Sequence, residues 1–202
     1  MATDAPQRWI TSLGKNQSNQ FRVIAGLWRG RRIAFPPLPG IRPTPDRVRE
    51  TLFNWLAPTI EGARCLDLFA GSGALAFEAI SRGAQSVLSV DREKRVVSHL
   101  RSQAKILGQS QRMHFQCADA LRFLTGPSEA FDLVFLDPPY HAGLLPPVLA
   151  RLDEAEWVRS GGLVYVEYSK DEGLPTLPAG WAVRKRSIAG QVCFQLLSVD
   201  GL

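Results

Sequence analysis

The chain has 202 residues, of which 45% are apolar and 21% are charged, and its formal net charge is +5. That length suffices for one domain with a hydrophobic core, and the composition excludes a disordered or fibrous chain. Neither an apolar run of about 20 residues nor the apolar stretch of a secretory signal occurs, so we expect a cytoplasmic protein without membrane contact.

Basic charge is concentrated at the start of the chain. Residues 1–64 contain ten Lys and Arg against four Asp and Glu, a net of +6, whereas residues 65–202 contain fourteen against fifteen, a net of −1. Such asymmetry indicates a surface that faces nucleic acid. The three cysteines and three histidines have no metal-ligand spacing, and we expect no metal site.

Residues 1–20 are rich in Gln, Ser and Asn and are interpreted as a flexible tail, whereas residues 21–40 carry the pattern of a β-hairpin. Gly26 to Gly30 permits a turn, and Arg31 to Phe35 would return beside the first strand. Trp28 would lie at the tip as a stacking surface. Arginine forks match phosphate in a bidentate manner, so we expect RNA contact here rather than a merely solvated face. The candidate RNA-binding residues are Arg22, Arg29, Arg31, Arg32, Arg42 and Arg47.

A helix is predicted to begin at Pro45, with Thr44 as its N-cap. It would bury an apolar stripe through Val48, Leu52 and Leu56. Two of the candidate arginines flank its start. The N-terminus of this helix could therefore meet a substrate phosphate or pack beside a cofactor, and the sequence leaves both open.

The stretch from Arg64 to Ile80 predicts a strand, a glycine-rich turn and the start of a helix. Gly71 and Gly73 permit a tight turn and a close approach of the backbone to a ligand. Together with Ala76 they satisfy the loose dinucleotide fingerprint, so the glycines alone leave a nicotinamide enzyme open. Asp67, inside the strand, would repel a pyrophosphate in that loop. It favours a cationic ligand that carries an amine, such as S-adenosylmethionine.

Two further predicted strands end in acids. Asp91 follows the first and is placed to bind ribose hydroxyls, as in dinucleotide folds. Asp119 follows the second, which begins at His114, and is placed to accept a hydrogen bond from an adenine amine. Each acid could instead cap the helix that follows, and a helical pattern from Glu93 to Leu107 begins directly after Asp91.

The apolar strand from Phe131 to Leu136 ends in the turn Asp137-Pro138-Pro139-Tyr140. In an open α/β sheet, ligands bind at this edge. Ionised Asp137 only accepts hydrogen bonds, and the Pro138 carbonyl adds a second acceptor in a turn that two prolines hold rigid. Two fixed acceptors would orient the exocyclic amine of a base and stabilise positive charge growing on its nitrogen. Tyr140 would stack on the base. An isolated tetrapeptide of this kind could be a simple turn; its place after a strand favours catalysis.

The remainder of the chain continues the alternation. A helix is predicted from Leu144 to Leu152, a strand from Gly162 to Tyr168, and a final hairpin formed by Trp181 to Ile188 with Gln191 to Ser198. Alternating strands and helices predict a parallel sheet, to which the terminal hairpin adds an antiparallel strand.

With these motifs the chain resembles the RsmD-like methyltransferases, which methylate the exocyclic N2 of a guanine in bacterial small-subunit ribosomal RNA. The resemblance covers about Phe21 to Leu197. It rests on four segments: Arg22 to Gly26, Arg42-Pro43-Thr44 with Arg49 to Leu56, Leu66 to Gly73, and Asp137 to Tyr140.

The resemblance implies an α/β fold of the Rossmann-like class I methyltransferase type in residues 41–202, preceded by the small N-terminal hairpin. Its seven-stranded sheet would be mostly parallel with an antiparallel C-terminal strand. It implies a 16S rRNA substrate within the small ribosomal subunit or an assembly intermediate, and we expect a monomer. It implies catalysis by Asp137, Pro138, Pro139 and Tyr140, and S-adenosylmethionine bound by Asp67, Phe69, Ala70, Gly71, Ser72, Gly73, Asp91, Arg92, Asp119 and Ala120.

Four other functions share features with this sequence. An adenine-N6 DNA methyltransferase can carry the same turn, but no inserted target-recognition domain is evident in 202 residues. A glutamine-N5 protein methylase would normally have Asn in place of Asp137. A nicotinamide oxidoreductase and a non-catalytic rRNA-binding assembly factor also stay open. The turn recognises an amine, so the choice of guanine comes from the resemblance alone.

Overall fold

The computed structural model describes residues 19–199, so the tail predicted for residues 1–20 lies almost wholly outside the described residues. Nine strands, five α-helices and a short 3-10 helix at Gly26–Trp28 occur in that range. The strands are β1 Gln20–Arg22, β2 Arg32–Ala34, β3 Arg64–Asp67, β4 Ser86–Asp91, β5 Met113–Cys117, β6 Phe131–Leu136, β7 Val158–Ser169, β8 Ala182–Ala189 and β9 Val192–Ser198. The helices are α1 Asp46–Leu56, α2 Ala74–Ser81, α3 Lys94–Ile106, α4 Ala120–Phe123 and α5 Leu145–Glu154.

Seven strands form the central sheet in the order β5-β4-β3-β6-β7-β9-β8. The first five are parallel, and β9 runs antiparallel to both of its neighbours. This is the predicted α/β fold, with β1 and β2 as the separate N-terminal hairpin. The strand order reverses between β3 and β6, and such a switch point is where open α/β sheets bind ligands.

Helices cover both faces of the sheet and create two apolar clusters. One face carries the hairpin, α1, α2 and α3, with fully buried side chains such as Leu52, Phe77 and Leu100. The other carries α4 and α5, with Leu149 and Trp157 in its centre. Where helices cover both faces of the sheet, the carboxyl ends of its strands remain open for a site.

The N-terminal hairpin is held against α2 by a buried carboxylate. Glu78 is fully buried and accepts hydrogen bonds from the backbone N–H groups of Ile24, at 2.8 Å, and Ala25, at 3.1 Å. Its charge is balanced by Arg82, at 2.7 Å, and by Arg49, at 3.4 Å. A buried charge that is paired and hydrogen-bonded in this way fixes the hairpin in one place.

The turn of the hairpin packs tightly on the C-terminal end of α2. The backbone N–H of Trp28 donates to the Ser81 hydroxyl at 3.0 Å, and that hydroxyl donates to the Ala25 carbonyl at 2.6 Å. Trp28 is buried, with its ring 6.3 Å from that of Phe77. The stacking role predicted for Trp28 is therefore wrong: its large apolar ring is buried against Phe77, which is favourable, and is not available to a base.

Among residues 19–199, none of the helices combines the length and the apolar character that crossing a bilayer requires.

Gly26 and Gly30 provide a matched test of this docking. Both have positive φ, +82° and +81°, so an alanine at either position would be strained by about 1 kcal/mol. A Cβ atom at Gly26 would also overlap the Ser81 carbonyl, whereas one at Gly30 would meet nothing within 4 Å. In urea denaturation we expect Gly26→Ala to lose about 1–3 kcal/mol more than Gly30→Ala. Equal losses would show that the hairpin does not pack on α2 as described.

Candidate active site

The ends of β3 and β6 bring the glycine loop and the proline turn together. The two strands are parallel neighbours, and Asp67 lies opposite Phe135 in their register. Asp137 follows β6 directly, so both acids lie at the same edge of the sheet. Two motifs that are about 70 residues apart in sequence thus share one site, as the switch-point rule predicts.

The glycine loop folds back over the sheet edge. The Ala70 N–H donates to the Val90 carbonyl at 3.0 Å, and the Gly71 N–H donates to Asp91 Oδ2 at 2.9 Å. Gly73 has φ +80° and precedes the first residue of α2, and a Cβ atom there would lie 2.7 Å from Leu100 Cδ2. The loop therefore needs glycine at residue 73 both for its conformation and for its packing.

Asp67 is buried, and one of its carboxylate oxygens lacks a partner. The side chain is 1% exposed, and Oδ1 has no hydrogen bond within the described part of the chain. Burial raises the pKa of Asp67 to about 7, aided by the charge of Asp91 and opposed by the backbone N–H of Phe69. A buried carboxylate with a free lone pair suits a ligand that brings an ammonium group. The residues present therefore fit S-adenosylmethionine.

Asp91 and Asp119 each accept a hydrogen bond from the backbone, and each remains accessible to a ligand. Asp91 Oδ1 accepts from the Glu93 N–H at 2.8 Å, and Asp119 Oδ1 caps α4 by accepting from the Arg122 N–H at 3.1 Å. Burial raises the pKa of Asp91, although the Glu93 and Gly71 N–H groups oppose the shift. Each carboxylate has lone pairs beyond those used, so capping and ligand binding are compatible.

The other predicted cofactor residues have mixed surroundings. Ala70, Ser72 and Ala120 are buried, and Gly71 and Phe69 are half-buried on the loop. Arg92 is exposed, and its guanidinium lies 3.8 Å from Glu93.

Thr44 is a neighbour of the catalytic turn rather than a helix cap. Its hydroxyl donates to Asp137 Oδ2 at 3.3 Å. Helix α1 begins one residue later than predicted, at Asp46, and its N-cap is Pro45 without a side-chain cap bond. The capping role predicted for Thr44 is therefore wrong. Arg49 Nε donates to the Thr44 carbonyl at 3.0 Å and fixes the backbone at that position.

Three acids accumulate at this edge of the sheet. Asp137 is half-buried, and burial raises its pKa well above the usual range, with further increases from the charges of Glu167 and Asp67. The hydrogen bond from Thr44 opposes that shift. Clustered carboxylates in a poorly solvated place stabilise positive charge, whether on a ligand or on a reacting nitrogen.

Tyr140 is fixed at one end and open at its ring. Its hydroxyl donates to Glu167 Oε1 at 2.7 Å, whereas its side chain is 39% exposed. A pocket of about 370 Å³ opens beside it, within the volume range of small-ligand sites. It is lined by Pro138, Pro139, Tyr140, His141, Gly143, Leu144, Leu145, Pro146, Glu167, Tyr168, Glu172, Gly173 and Pro175. The apolar walls and the tyrosine suit a planar ring.

All six predicted RNA-binding arginines are exposed, at residues 22, 29, 31, 32, 42 and 47. Arg22 and Arg32 are cross-strand partners in the hairpin. Arg42 and Arg47 lie two and three residues from Thr44 in sequence, and Thr44 contacts the catalytic turn. Arg29 and Arg31 lie beyond, in the loop that packs on the end of α2.

Glu167 is the residue of this site that the motifs did not reveal. It lies in β7 within a run of buried residues from Val164 to Tyr168. An acid inside such an apolar strand is rare unless it is paired. That signal was present in the sequence.

Comparison with known proteins gives consistent matches. A family model described as "Conserved hypothetical protein 95" matches residues 21–198. An Escherichia coli protein named ribosomal RNA small subunit methyltransferase D is 43% identical over 179 residues, 89% of this chain and 90% of that protein. Its namesake from Haemophilus influenzae is 42% identical over 184 residues, 90% of this chain and 95% of that protein. A solved Escherichia coli structure, described as "Putative methyltransferase yhhF", has a TM-score of 0.85 and 40% identity, covering 91% of this chain and 99% of that one.

The raised pKa of Asp67 makes a prediction about stability. An unfolded Asp titrates near pH 4 and the folded one at about 7. The folded state therefore holds this proton more tightly, and its stability falls as pH rises from about 4 to about 7. Asp67→Asn cannot ionise, so we expect its free energy of unfolding to exceed that of the wild type by about 1 kcal/mol or more at pH 8, and by less at pH 5.

Urea denaturation at both pH values measures this difference, with Glu50→Gln, an exposed acid of α1, as the control. A gain for Asp67→Asn that does not change with pH would contradict the assignment of the titration to Asp67.

Proposed function

The chain belongs to the family described as conserved hypothetical protein 95, and on that premise we propose that it is a methyltransferase that uses S-adenosylmethionine and acts on ribosomal RNA of the small subunit. The finer proposal is that it methylates the exocyclic N2 of a guanine in 16S rRNA. The observation that carries this function is the position of Asp137, beside the Pro138 carbonyl and at the same sheet edge as the unpartnered carboxylate of Asp67. The relatives named above support the rRNA substrate.

Different residues would bind the different chemical groups of the cofactor. Asp67 suits the ammonium group through its free Oδ1. The loop from Phe69 to Gly73 offers backbone within close reach of a ligand, Asp91 suits the ribose hydroxyls, and Asp119 with Ala120 suits the adenine. When bound, S-adenosylmethionine supplies an electrophilic methyl group on a sulfonium. The acids around that position would complement its positive charge.

The turn would prepare the nucleophile. Thr44 occupies Asp137 Oδ2, which leaves Oδ1 to accept one N–H of the amine, while the Pro138 carbonyl accepts the other. Both acceptors are held rigidly, so they stabilise charge on the nitrogen without reorganising. Tyr140 would stack on the base, worth about 1–3 kcal/mol. The proton that the amine loses would leave through Asp137 or through solvent.

The exposed arginines would grip the RNA backbone on one side of this site. Arg42 and Arg47 are the neighbours of Thr44 in sequence, and Arg22, which pairs with Asp46 at 3.3 Å, would continue the surface onto the hairpin. Arg29, Arg31 and Arg32 extend it away from the turn. Such contacts set the position of the RNA without reading its sequence.

A nicotinamide oxidoreductase fits this site less well. Asp67 lies directly ahead of the glycine loop, and a second acid, Asp91, accepts the Gly71 N–H that a pyrophosphate would need. The charge of Asp67 and the loss of that N–H both oppose the binding of a dinucleotide phosphate.

The decisive experiment measures transfer of labelled methyl from S-adenosylmethionine to naked 16S rRNA, to small ribosomal subunits and to DNA, followed by nucleoside analysis. We expect label in N2-methylguanosine from rRNA or the subunit and none in DNA, because the site offers acceptors for an amine and a basic surface for RNA. S-adenosylhomocysteine should compete, and NAD should not. Label in N6-methyladenine of DNA, or NAD binding without methyl transfer, would refute the proposal.

A further inference from the structure

Glu167 is a buried carboxylate that contacts the catalytic turn through Tyr140, and beyond adding negative charge to the site it has no part in the roles described above. The side chain is 2% exposed. Its Oε1 accepts the hydroxyl of Tyr140 and its Oε2 accepts the hydroxyl of Tyr165, both at 2.7 Å. The two tyrosine hydroxyls thus occupy both oxygens of one carboxylate, and one of those hydroxyls belongs to the turn.

The second tyrosine anchors this bridge in the core. Tyr165 is fully buried, and its ring centroid lies 6.4 Å from those of Phe135 and Phe194. Close packing leaves such a side chain one rotamer. Through Glu167, the rigid core is therefore connected to the turn at Tyr140.

Tyr140 needs such an anchor more than a buried residue would. Its ring is half-open to solvent and forms one wall of the 370 Å³ pocket, so packing restrains it on one side only. A hydrogen bond to an ionised carboxylate is about twice as strong as one between neutral groups. Placed on the hydroxyl, it holds the ring at its far end and leaves the face free.

We propose that Glu167 is a positioning residue, whose carboxylate fixes the ring of Tyr140 so that a base stacked on it presents its amine to Asp137. This inference rests on the proposed function, in which the pocket receives the target base. RNA affinity depends mainly on phosphate contacts, so a loosened ring leaves binding largely intact. The rate suffers instead, because a displacement of about 1 Å at the reacting centre can lower it about 100-fold.

Glu167→Gln tests this role with little change in shape. At one of the two hydroxyls the amide NH2 replaces a carboxylate oxygen and can only donate, so that hydroxyl loses its acceptor, and the bond that remains at the other hydroxyl is no longer charge-assisted. We expect kcat to fall on the order of 100-fold, with the KM for rRNA and the affinity for S-adenosylhomocysteine little changed. Asp153→Asn is the control: Asp153 accepts the Trp181 indole N–H at 2.9 Å and lines a pocket that contains no residue of the turn, so the same acid-to-amide change there should leave kcat unaltered.

A second measurement reads the ring directly. The chain has three tyrosines, so labelling with 3-fluorotyrosine gives three fluorine resonances, which Tyr→Phe variants assign. Glu167→Gln should shift or broaden the resonance of Tyr140, and Asp153→Asn should not. This readout needs no turnover. If the wild type fails to methylate any RNA, the proposed function falls, while the fluorine spectra still decide whether Glu167 holds Tyr140.

Tyr140→Phe covers the case in which Glu167→Gln does not fold. It removes only the hydroxyl, and on its own we expect it to lose a comparable part of kcat. Where both single variants fold, the losses should not multiply in the double variant, because both changes break one hydrogen bond. Full activity of either single variant would overturn the inference. Losses that multiply in the double variant, or a fall in S-adenosylhomocysteine affinity that matches the fall in kcat, would overturn it as well.

Discussion

The site depends on the concentration of three carboxylates at one edge of a parallel sheet. Burial raises the pKa of Asp67, Asp137 and Glu167, and the charges of Glu167 and Asp67 raise the pKa of Asp137 further. Without a ligand this arrangement opposes folding, because charge is held away from water. It becomes favourable when a cation enters or when a nitrogen becomes positive. The negative charge at this edge of the sheet therefore matches the positive charge that the ligand and the reacting nitrogen would carry during methyl transfer to an amine.

Arg49 connects this edge to the N-terminal hairpin. Its guanidinium is fully buried and donates to the Thr44 carbonyl, to the Arg22 carbonyl at 2.9 Å, and to Asp46 and Glu78. One side chain thereby joins the hairpin, α1 and α2 to the residue that contacts Asp137. The basic surface proposed for RNA and the catalytic turn are therefore parts of one rigid body. A substrate gripped by the arginines would be presented to the turn in a fixed orientation.

Sequence patterns predicted the architecture because its signals are local. Apolar runs that end in Asp67, Asp91 and Asp137 defined the sheet edge, and glycine and proline marked the turns around it. The predictions that were wrong or missing concern contacts with residues distant in sequence. Thr44 was predicted to be a cap because a hydroxyl before a helix usually bonds to that helix. Its hydroxyl donates instead to the carboxylate of Asp137, which lies far away in sequence. Glu167 went unassigned since no short motif encodes a pairing with tyrosines, one of them 27 residues away.

The central claim is that Asp137 acts on the nucleophile rather than on the cofactor. Asp137→Ala therefore separates the two roles, with S-adenosylhomocysteine affinity from calorimetry and the single-turnover rate of methyl transfer measured on the same preparation. We predict an affinity close to that of the wild type and a rate lower by about 100-fold to 1000-fold, as for loss of one preorganised polar group at a reacting centre. An equal loss of affinity and rate, or a rate that survives, would contradict the account.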